Sequence, residues 1–313
     1  MPIRESGPKS ACIKMKISVI IPTLNAGKQL TELLESLKAQ SVKPDEILVV
    51  DSQSQDDTCA RAKAAGARVL SILRKDFDHG ATRDMALRES CGDVAVFMTQ
   101  DALPVDKDFI HNLTQPLEEE AVAAVGGRQV AYPDARPFEK AVRARNYPDA
   151  ERVWSAADIE RLGVRAFLIS DVCAAYRRTA YLAVGGFDHP ILTNEDMLMA
   201  ERLLHAGHKL AYTGRAQVYH SHRFTLKQEY ARNYIIGRTM KRYEARFEHV
   251  GEMGTGAKLA KDVLVDLVAG GHLIECFCFA ASCAARLLGN RMGRRDEARE
   301  IALRTNKQNG ETK

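Results

Sequence analysis

The sequence lacks the features that mark zinc-finger, nucleic-acid-binding and membrane-spanning proteins. Its seven cysteines form no C-x-x-C pair, and the nearest two, Cys276 and Cys278, have no His or Cys partner at zinc-site spacing. The net charge of +4 over 313 residues is too small to indicate a nucleic-acid binder. The longest late apolar run, residues 276–285, is about half of a membrane span. The polar segment 1–16 has no apolar core, so no signal peptide is expected.

Several catalytic motifs are absent as well. There is no HExxH, GxSxG, P-loop or Cys/His nucleophile pattern, which leaves hydrolases and kinases without support. The first predicted strand leads into "PTLNAG" rather than a G-x-G-x-x-G turn, which disfavours a redox dinucleotide enzyme.

The scattered cysteines favour reduced thiols in a cytoplasmic protein. Length and a hydrophobic content of 45% suit one large α/β domain with appendages, or two modest domains.

What the sequence does have is a repeated alternation of strand and helix patterns from Lys16 to about residue 100. The predicted strands are 17–22, 46–51, 67–72 and 93–98, and the predicted helices are 28–40, 57–66 and 80–90. This alternation predicts an α/β fold with a doubly wound, mostly parallel sheet. Ligands of such sheets bind beyond the carboxyl ends of the strands. Pro22, Asp51 and Asp101, which end three of these strands, are therefore expected to meet in one crevice.

The second half of the chain is less regular. The alternation stops after the glycines at 126–127, and residues 128–168, rich in Arg, Pro and Tyr, predict a loop-heavy insertion. Further strands are predicted at 169–178, 208–214 and 218–222, and a helix at 194–207. Helical patterns then run from Thr225 to about residue 250 and from about 257 to 290, which predicts a C-terminal helical extension.

Two motifs of the first half have a functional and a structural interpretation. Asp51 follows an apolar strand, where a carboxylate can bind a ribose hydroxyl or a base N–H; helix capping by Asp56 or Asp57 is the alternative, and it leaves Asp51 without a role. His79 and Arg83 lie at a predicted helix start, where backbone N–H groups and a guanidinium suit a phosphate. The alternative is an ordinary N-terminal turn with an exposed arginine.

Three further motifs could supply metal or proton chemistry. Asp101, with the carbonyl oxygen of Gln100, could bind a divalent cation that a nucleotide diphosphate also ligates. Glu195 and Asp196 open a predicted helix, where acids favour the macrodipole, but one of them could accept a proton from a hydroxyl in the crevice. His220 and His222 are two residues apart and face the same way on a strand, which suits a metal or phosphate; a polar surface is the alternative.

Taken together, six segments resemble family-2 glycosyltransferases with a GT-A fold. In chain order they read "ISVIIPTLNAG", "EILVVDSQSQDDT", "FDHGATRD", "FMTQDALP", "AAYRRTAYLAVGGFD" and "NEDMLMAERLLHAGHKLAYTGRAQVYHSH", and they span about residues 16–240. The third and fourth segments and the closing "YHSH" are most similar to bacterial rhamnosyltransferases of polysaccharide assembly. The resemblance divides the chain into a flexible tail (1–15), a nucleotide-sugar-binding half (16–125), an acceptor-side half with the catalytic helix (126–222) and the helical extension (223–313).

The resemblance also implies roles for single residues. The residues implied in nucleotide-sugar binding are Pro22, Thr23, Leu24, Asp51, His79, Arg83, Gln100 and Asp101. Asp101 would stand at the position of the family's D-x-D motif and hold Mg²⁺ or Mn²⁺, with His220 as a second contact. Thr99 replaces the first acid of that motif, which leaves fewer metal ligands. Asp196 would be the catalytic base, with Glu195 beside it.

The implied activity is an inverting glycosyl transfer in cell-surface polysaccharide synthesis. The sugar would be rhamnose from dTDP-rhamnose, and the acceptor a lipid-linked intermediate or another glycan. A UDP-sugar-dependent enzyme of the same family, with galactofuranose, glucose or N-acetylglucosamine as the sugar, is the alternative. A non-catalytic nucleotide-sugar-binding subunit is disfavoured because Asp51, Asp101 and Asp196 are all present.

The C-terminal extension leaves its own alternatives open. Basic residues are frequent between 223 and 246 and form either a solvated helix face or a contact with an anionic acceptor or membrane surface. The apolar stretches after residue 257 are compatible with a packed helical pair, a dimer contact in a homo-oligomer, or peripheral contact with the inner face of the cell membrane. They do not form a clean amphipathic anchor.

Overall fold

A nine-stranded mixed sheet forms the centre of the protein in the computed structural model, which describes residues 15–248, 250 and 255–311. The strand order is β3-β2-β1-β4-β8-β6-β9-β5, and β7 pairs with the far side of β9. Two clusters of buried apolar side chains fill the two faces of this sheet. The predicted α/β fold class is confirmed. The predicted tail lies, except for Met15, outside the described residues.

The first half of the sheet is parallel, as the sequence predicts. Its strands are β1 (Ile17–Thr23), β2 (Glu46–Asp51), β3 (Arg68–Ser71) and β4 (Val94–Met98). The connecting helices are α1 (Gly27–Lys38), α2 (Thr58–Ala64) and α3 (His79–Glu89). The leucine stripe of α1 is fully buried against the sheet. The helical spacing of these apolar residues therefore explains why this segment forms a helix on the sheet. All four strands present their carboxyl ends at one edge.

The second half turns the sheet from parallel to mixed. Strand β8 (Cys173–Arg177) runs antiparallel between β4 and β6 (Val122–Val130), and β6 is parallel to β9 (Lys209–Tyr219). Two short strands, β5 (Leu103–Pro104) and β7 (Glu151–Trp154), pair antiparallel with β9. The helices of this half are α4 (Phe109–Thr114), α5 (Pro137–Asn146), α6 (Ile159–Leu162), α7 (Arg178–Ala183) and α8 (Glu195–His205).

Three sequence-based expectations for this half are wrong. Residues 128–168 are not a loop-heavy insertion, because they contain the end of β6, α5, β7 and α6. The glycines at 126–127 do not end a strand, because they lie within β6. A Cβ on Gly127 would lie 3.0 Å from the Ala216 carbonyl oxygen and from Cys173 Sγ, so a glycine is needed where the neighbouring strands β8 and β9 approach. Likewise, the strands expected at 208–214 and 218–222 are one strand, β9, with a register shift against β6.

Three helices follow the sheet and form the predicted extension: α9 (Leu226–Arg242), α10 (Thr255–Ala269) and α11 (Leu273–Glu311). The last helix is longer than expected. Helices α9 and α11 pack backbone to backbone, because a Cβ on Gly237, Gly289 or Gly293 would lie only 2.0–2.3 Å from a carbonyl oxygen of the other helix. Ion pairs join the same two helices, among them Arg238 with Glu297 at 2.7 Å.

Helix α10 packs on α5 through a small apolar cluster that Phe138, Val263, Leu267 and Phe279 form. By length and composition alone, Leu273–Thr305 in α11 could cross a membrane. One side of this segment nevertheless packs against α9 through the glycine contacts and ion pairs. We therefore describe α11 as a packed helix whose outer side is exposed.

Candidate active site

Two joined cavities lie at the carboxyl edge of the parallel strands. The first, of about 320 Å³, is lined by Pro22, Thr23, Leu24, Ser52, Arg74, Phe77, His79, Arg83, Thr99 and Gln100. The second, of about 710 Å³, contains Asp101, Asp196 and His220 in its wall. His79, Arg83 and Thr99 line both, so the cavities are continuous. We call the first the nucleotide cavity and the second the reaction cavity.

The floor of the nucleotide cavity is built where β1 ends. Gln100, just past β4, accepts a hydrogen bond from the Leu24 N–H at 2.8 Å and donates one to the Leu24 carbonyl at 3.3 Å. Both ends of the Gln100 amide are therefore used to hold this loop in place. The expectation that Gln100 offers its carbonyl oxygen to a metal is not supported, because that oxygen is already bonded to Leu24.

Asp51 lies directly behind the wall of the nucleotide cavity. Its buried carboxylate accepts hydrogen bonds from Thr23 Oγ1 at 3.1 Å and from the Ser54 N–H at 2.9 Å. Burial raises the pKa of Asp51, but the bonds from Ser54 and Thr23 outweigh this and lower it below the ordinary value, so the group is ionised. Thr23 and Ser52, its contact and its neighbour, line the cavity while Asp51 does not.

The capping interpretation of the acids after Asp51 is only partly right. Asp57 occupies the cap position of α2, but its side chain makes no cap hydrogen bond and instead pairs with Arg61. Asp56 accepts the Thr58 N–H at 3.0 Å. The loop after β2 is therefore organised by Asp51 and Asp56 together, and capping does not compete with a ligand for Asp51.

A carboxylate and two imidazoles converge at one point of the reaction cavity. Asp101 follows β4 and the histidines follow β9, and the Asp101 Oδ2 lies 3.4 Å from His220 Nε2 and 3.3 Å from His222 Nε2. One candidate ligand atom from each residue lies within 4.8 Å of the others. The pairing of Asp101 with His220 was expected; His222 joins them because alternate residues of an extended chain face the same way.

The electrostatics of this cluster suit a cation. Burial raises the pKa of Asp101, but the neighbouring His220 lowers it far below the ordinary value. Burial lowers the pKa of His220 and, together with the neighbouring His220, lowers that of His222 to about 4. At neutral pH the cluster thus offers one carboxylate and two neutral imidazoles, the protonation states that metal ligands require. A divalent cation fits this donor set.

The tautomer of His220 is fixed by a chain of contacts behind it. His220 Nδ1 lies 2.9 Å from Gln129 Oε1, and the same oxygen also contacts the guanidinium of Arg143. Arginine can only donate, so the Gln129 atom between them is the amide oxygen. The facing Nδ1 of His220 must then carry the proton, so that in the neutral ring the Nε2 lone pair is free for a cation that Asp101 would also bind. Gln129 and Arg143 were not identified from the sequence, because neither belongs to a recognisable motif.

A second cluster surrounds the start of α8. Glu195 is buried and its Oε1 accepts a hydrogen bond from Arg83 at 2.9 Å. Asp171, in the turn before β8, lies 3.7 Å from Arg83 Nε and accepts a hydrogen bond from Tyr176 at 2.8 Å. Asn194, which precedes Glu195, has a left-handed backbone (φ +65°), an unusual conformation often found at functional sites.

These contacts correct the interpretation of Arg83. It is not the exposed arginine of an ordinary turn, because it is buried. One end of its guanidinium is paired with Glu195, so a phosphate contact would have to use the remaining N–H groups. The Asp78 carboxylate also occupies the Ala81 N–H at the start of α3, at 2.8 Å. Arg83 and His79 still line the junction of the two cavities, as expected of residues near the donor.

Asp196 lines the reaction cavity together with Glu195 and Asp171. Its carboxylate accepts hydrogen bonds from the N–H groups of Met197 at 2.8 Å and Asp171 at 3.3 Å. Burial, and then the charge of Glu195, raise the pKa of Asp196 to about 7. A carboxylate with this pKa is suited to accept a proton near neutral pH. Asp171, which the sequence did not reveal, supplies one of the two N–H groups that hold it.

The sheet, the metal-binding cluster and the carboxylate at the start of α8 define a glycosyltransferase with a GT-A fold. A solved structure with this fold, the mannosyltransferase PcManGT from Pyrobaculum calidifontis in complex with GDP-Man and Mn²⁺, superimposes with a TM-score of 0.59 over 88% of this chain and 87% of that one, at 17% identity. The fold class thus agrees with that of this neighbour.

The sequence comparisons establish the family. The model of "Glycosyl transferase family 2" matches residues 18–185. The O-antigen chain rhamnosyltransferase RfbN of Salmonella typhimurium is 40% identical over 71% of this chain and 72% of its own length. WbaN of Salmonella anatum, described in the same words, is 36% identical over 70% of each. The chain belongs to glycosyl transferase family 2, and the resemblance to its rhamnosyltransferases is confirmed.

Proposed function

We propose that this enzyme transfers rhamnose from dTDP-rhamnose, with inversion at the anomeric carbon, to a lipid-linked or other glycan acceptor in cell-surface polysaccharide synthesis. The observation that carries the proposal is the presence of Asp101, His220 and Asp196 in one cavity beside the nucleotide cavity. The names of the two Salmonella relatives supply the sugar and the kind of polymer.

In this proposal Asp101, His220 and His222 hold the divalent cation. When bound, the cation offsets the charge of the departing nucleoside diphosphate. A set of one carboxylate and two imidazoles suits Mn²⁺ better than Mg²⁺, which prefers oxygen ligands. We therefore expect Mn²⁺ to support the higher affinity. Thr99, where other family members have an acid, is compensated by the second histidine.

Asp196 is the proposed base, and Glu195 is its positioning neighbour. A sugar hydroxyl becomes a competent nucleophile when its proton is accepted, and Asp196 is ionised in about half of the molecules at pH 7. Arg83 pairs with Glu195 beside it; the charge of Glu195 raises the pKa of Asp196, and the charge of Arg83 lowers it by a smaller amount. Attack from the side opposite the diphosphate would invert the anomeric carbon.

The donor nucleotide distinguishes this proposal from its alternative, a UDP-sugar-dependent transferase of the same family. Pro22, Thr23 and Leu24 would form the base and ribose site at the end of β1, and Asp51 would hold Thr23 in place from behind. A thermal-shift series with thymidine, uridine and guanosine diphosphates in the presence of Mn²⁺ measures the preference directly, because a ligand that binds the folded state raises Tm. Stabilisation by thymidine diphosphate supports the proposal, and stronger stabilisation by uridine diphosphate contradicts it.

The sugar needs a separate measurement. Purified enzyme, Mn²⁺ and radiolabelled dTDP-rhamnose are incubated with a membrane extract of a strain that lacks this enzyme, and the organic-soluble label is counted. Transfer of label that depends on Asp196 supports the proposal. A stronger transfer from dTDP-glucose or a UDP-sugar would replace rhamnose by that sugar.

We further propose that the enzyme works at the cytoplasmic face of the membrane, where a lipid-linked acceptor would be held. Support comes from the outer side of α10 and α11, where Val265, Val268, Ile274 and Phe277 are 57–79% exposed and Leu288 is 56% exposed. Isolated monomers rarely leave such a stripe uncovered. Flotation with anionic liposomes, comparing the native chain with Phe277→Glu, tests membrane contact. Loss of flotation supports it; a dimer that Phe277→Glu dissociates, seen by light scattering, would assign the stripe to a homo-oligomer instead.

A further inference from the structure

A third cavity, of about 240 Å³, opens from the reaction cavity between α5, α9 and α11. It shares Asn146, Tyr147, His222 and Arg232 with the reaction cavity, so it leads directly away from the metal-binding cluster. It is smaller than the roughly 300–1,000 Å³ of sites that enclose whole small molecules. Its size suits a compact group rather than a sugar nucleotide.

Within the described part of the chain, two of the three arginines that line this third cavity have no carboxylate partner. Among the described residues, neither Arg143 nor Arg232 has an acidic side chain within salt-bridge distance, whereas Arg286 is paired with Glu229 at 2.6 Å. Arg143 is held by the neutral Gln129 oxygen and lies over the ring of Tyr147, at 5.7 Å from its centre. Burial lowers its pKa, as expected of a buried cation with no counter-ion.

The wall between these cations is partly apolar. Phe138, Val142, Phe224 and Ile236 contribute the apolar part, and Arg232 lies over the Phe224 ring at 5.7 Å. The polar part includes Glu139, Glu229, Asn146, Asn233 and Ser221. The helix that closes the cavity, α11, carries exposed leucines at 287 and 288 directly after Arg286. The surroundings therefore combine positive charge with apolar surface, which matches an amphiphile that has an anionic head and a hydrocarbon tail.

We propose that Arg143 and Arg232 bind the diphosphate of a prenyl-diphosphate-linked acceptor, whose hydrocarbon leaves past α11. This inference rests on the proposed function, because it assumes a lipid-linked acceptor. An anion in this cavity would supply the counter-ion that both guanidiniums lack, and guanidinium–phosphate contacts are strong and bidentate. The acceptor sugar would then extend from the third cavity towards Asp196, with the diphosphate at a fixed distance from the hydroxyl that reacts.

The same cations could instead serve the diphosphate of the nucleotide donor, so the test must separate the two sources. The full chain is first saturated with thymidine diphosphate and Mn²⁺, and farnesyl diphosphate, a short prenyl diphosphate, is then titrated by calorimetry. Farnesol serves as the probe without a diphosphate. The variant is Arg232→Gln, whose exposed side chain is not needed for folding, and Arg291→Gln, on the exposed side of α11 outside the cavity, is the matched loss of one charge.

We expect farnesyl diphosphate to bind the saturated enzyme, and Arg232→Gln to weaken this binding about ten-fold or more, as for the loss of charge-assisted hydrogen bonds. Arg291→Gln should change it less than about two-fold, and neither variant should alter thymidine diphosphate binding. Weaker nucleotide binding by Arg232→Gln would assign the cation to the donor. Equal effects of both variants, tight binding of farnesol, or no binding of farnesyl diphosphate would each overturn the inference.

These outcomes are distinct from failure of the proposed function. If nucleotide diphosphate and Mn²⁺ bind normally while farnesyl diphosphate does not, the transferase stands and only the acceptor site is wrong. If thymidine, uridine and guanosine diphosphates all fail to bind with Mn²⁺, the proposed function itself is wrong.

Discussion

Replacing Asp196 by asparagine tests the chemistry most directly. The carboxamide has nearly the same shape, and its oxygen can keep one of the two hydrogen bonds from the N–H groups of Met197 and Asp171, which go to different carboxylate oxygens. It cannot accept a proton at neutral pH. General base catalysis contributes about 10²–10⁴-fold, so turnover should fall by that factor while donor binding is kept. The assay is transfer of radiolabelled sugar, with nucleotide binding measured separately by calorimetry.

The pH dependence of kcat/KM provides a second, independent test of Asp196 as the base. Because the base must be ionised and the pKa of Asp196 is about 7, kcat/KM should increase through pH 7, and at pH 6 it should be about a tenth of its plateau. Glu195→Gln is the informative companion, because it keeps the base but removes the negative charge that raises this pKa. Its profile should shift to lower pH. The reasoning is refuted if Asp196→Asn keeps more than a tenth of the turnover, or if its residual activity shows the same rise near pH 7.

The same shift has a consequence for stability, which also shows that the variant is folded. An acid whose folded-state pKa is raised binds its proton more tightly in the folded state, so its contribution to stability is lost as pH increases from about 4 to about 7. A pKa of about 7 against the ordinary 3.8 corresponds to at most about 4 kcal/mol, less what solvent in the cavity screens. Asp196→Asn should therefore have a higher Tm than the native chain at pH 8, and a similar Tm at pH 4.

Three further outcomes follow from the metal-binding cluster and the C-terminal helices. Asp101→Asn removes the only carboxylate of the cluster and should weaken Mn²⁺ binding, followed by electron paramagnetic resonance, by at least ten-fold; an unchanged affinity would contradict its role. Gln129→Leu should weaken Mn²⁺ binding about 10–100-fold and release the His220 tautomer, visible in ¹⁵N spectra of histidine-labelled protein, whereas Gln129→Glu, which keeps an acceptor towards His220, should retain the Nδ1–H form. Gly293→Leu forces α11 away from α9 and should lower Tm by several degrees, while Ala302→Leu, on an exposed part of α11, should not.

The parts of the fold that the sequence revealed are those fixed by local periodicity. The α1 leucine stripe has helical spacing, and the strands β1, β2 and β4 are apolar runs that end at polar residues or proline. Their order along the chain and the sheet edge that they share could therefore be predicted. Gly127 misled the interpretation, because the reason for a glycine there is the approach of Cys173 in β8 and Ala216 in β9, which lie far away in the chain. Long-range packing of this kind leaves no local pattern.

The same distinction between local sequence patterns and long-range contacts applies to the active site. Asp101, His220 and Asp196 lie within motifs, so their presence in one cavity could be anticipated. The partners that set their properties could not: Asp171 and Gln129 are single polar residues in ordinary surroundings, and their effect on Asp196 and His220 arises only after folding. The pairing of Arg83 with Glu195, 112 positions apart, is of the same kind.

The glycine contacts between α9 and α11 affect how the enzyme can be dissected. A chain shortened after α9 would lose the partner of Glu229, a buried carboxylate, and would leave Gly237 facing water instead of a neighbouring backbone. Arg232 is carried on the same helix, so its approach to the reaction cavity would loosen as well. If a truncated enzyme no longer sedimented with vesicles, the cause could equally be a distorted reaction cavity or the loss of a membrane-binding helix. Single substitutions on the outward side of α11 test membrane binding without this ambiguity.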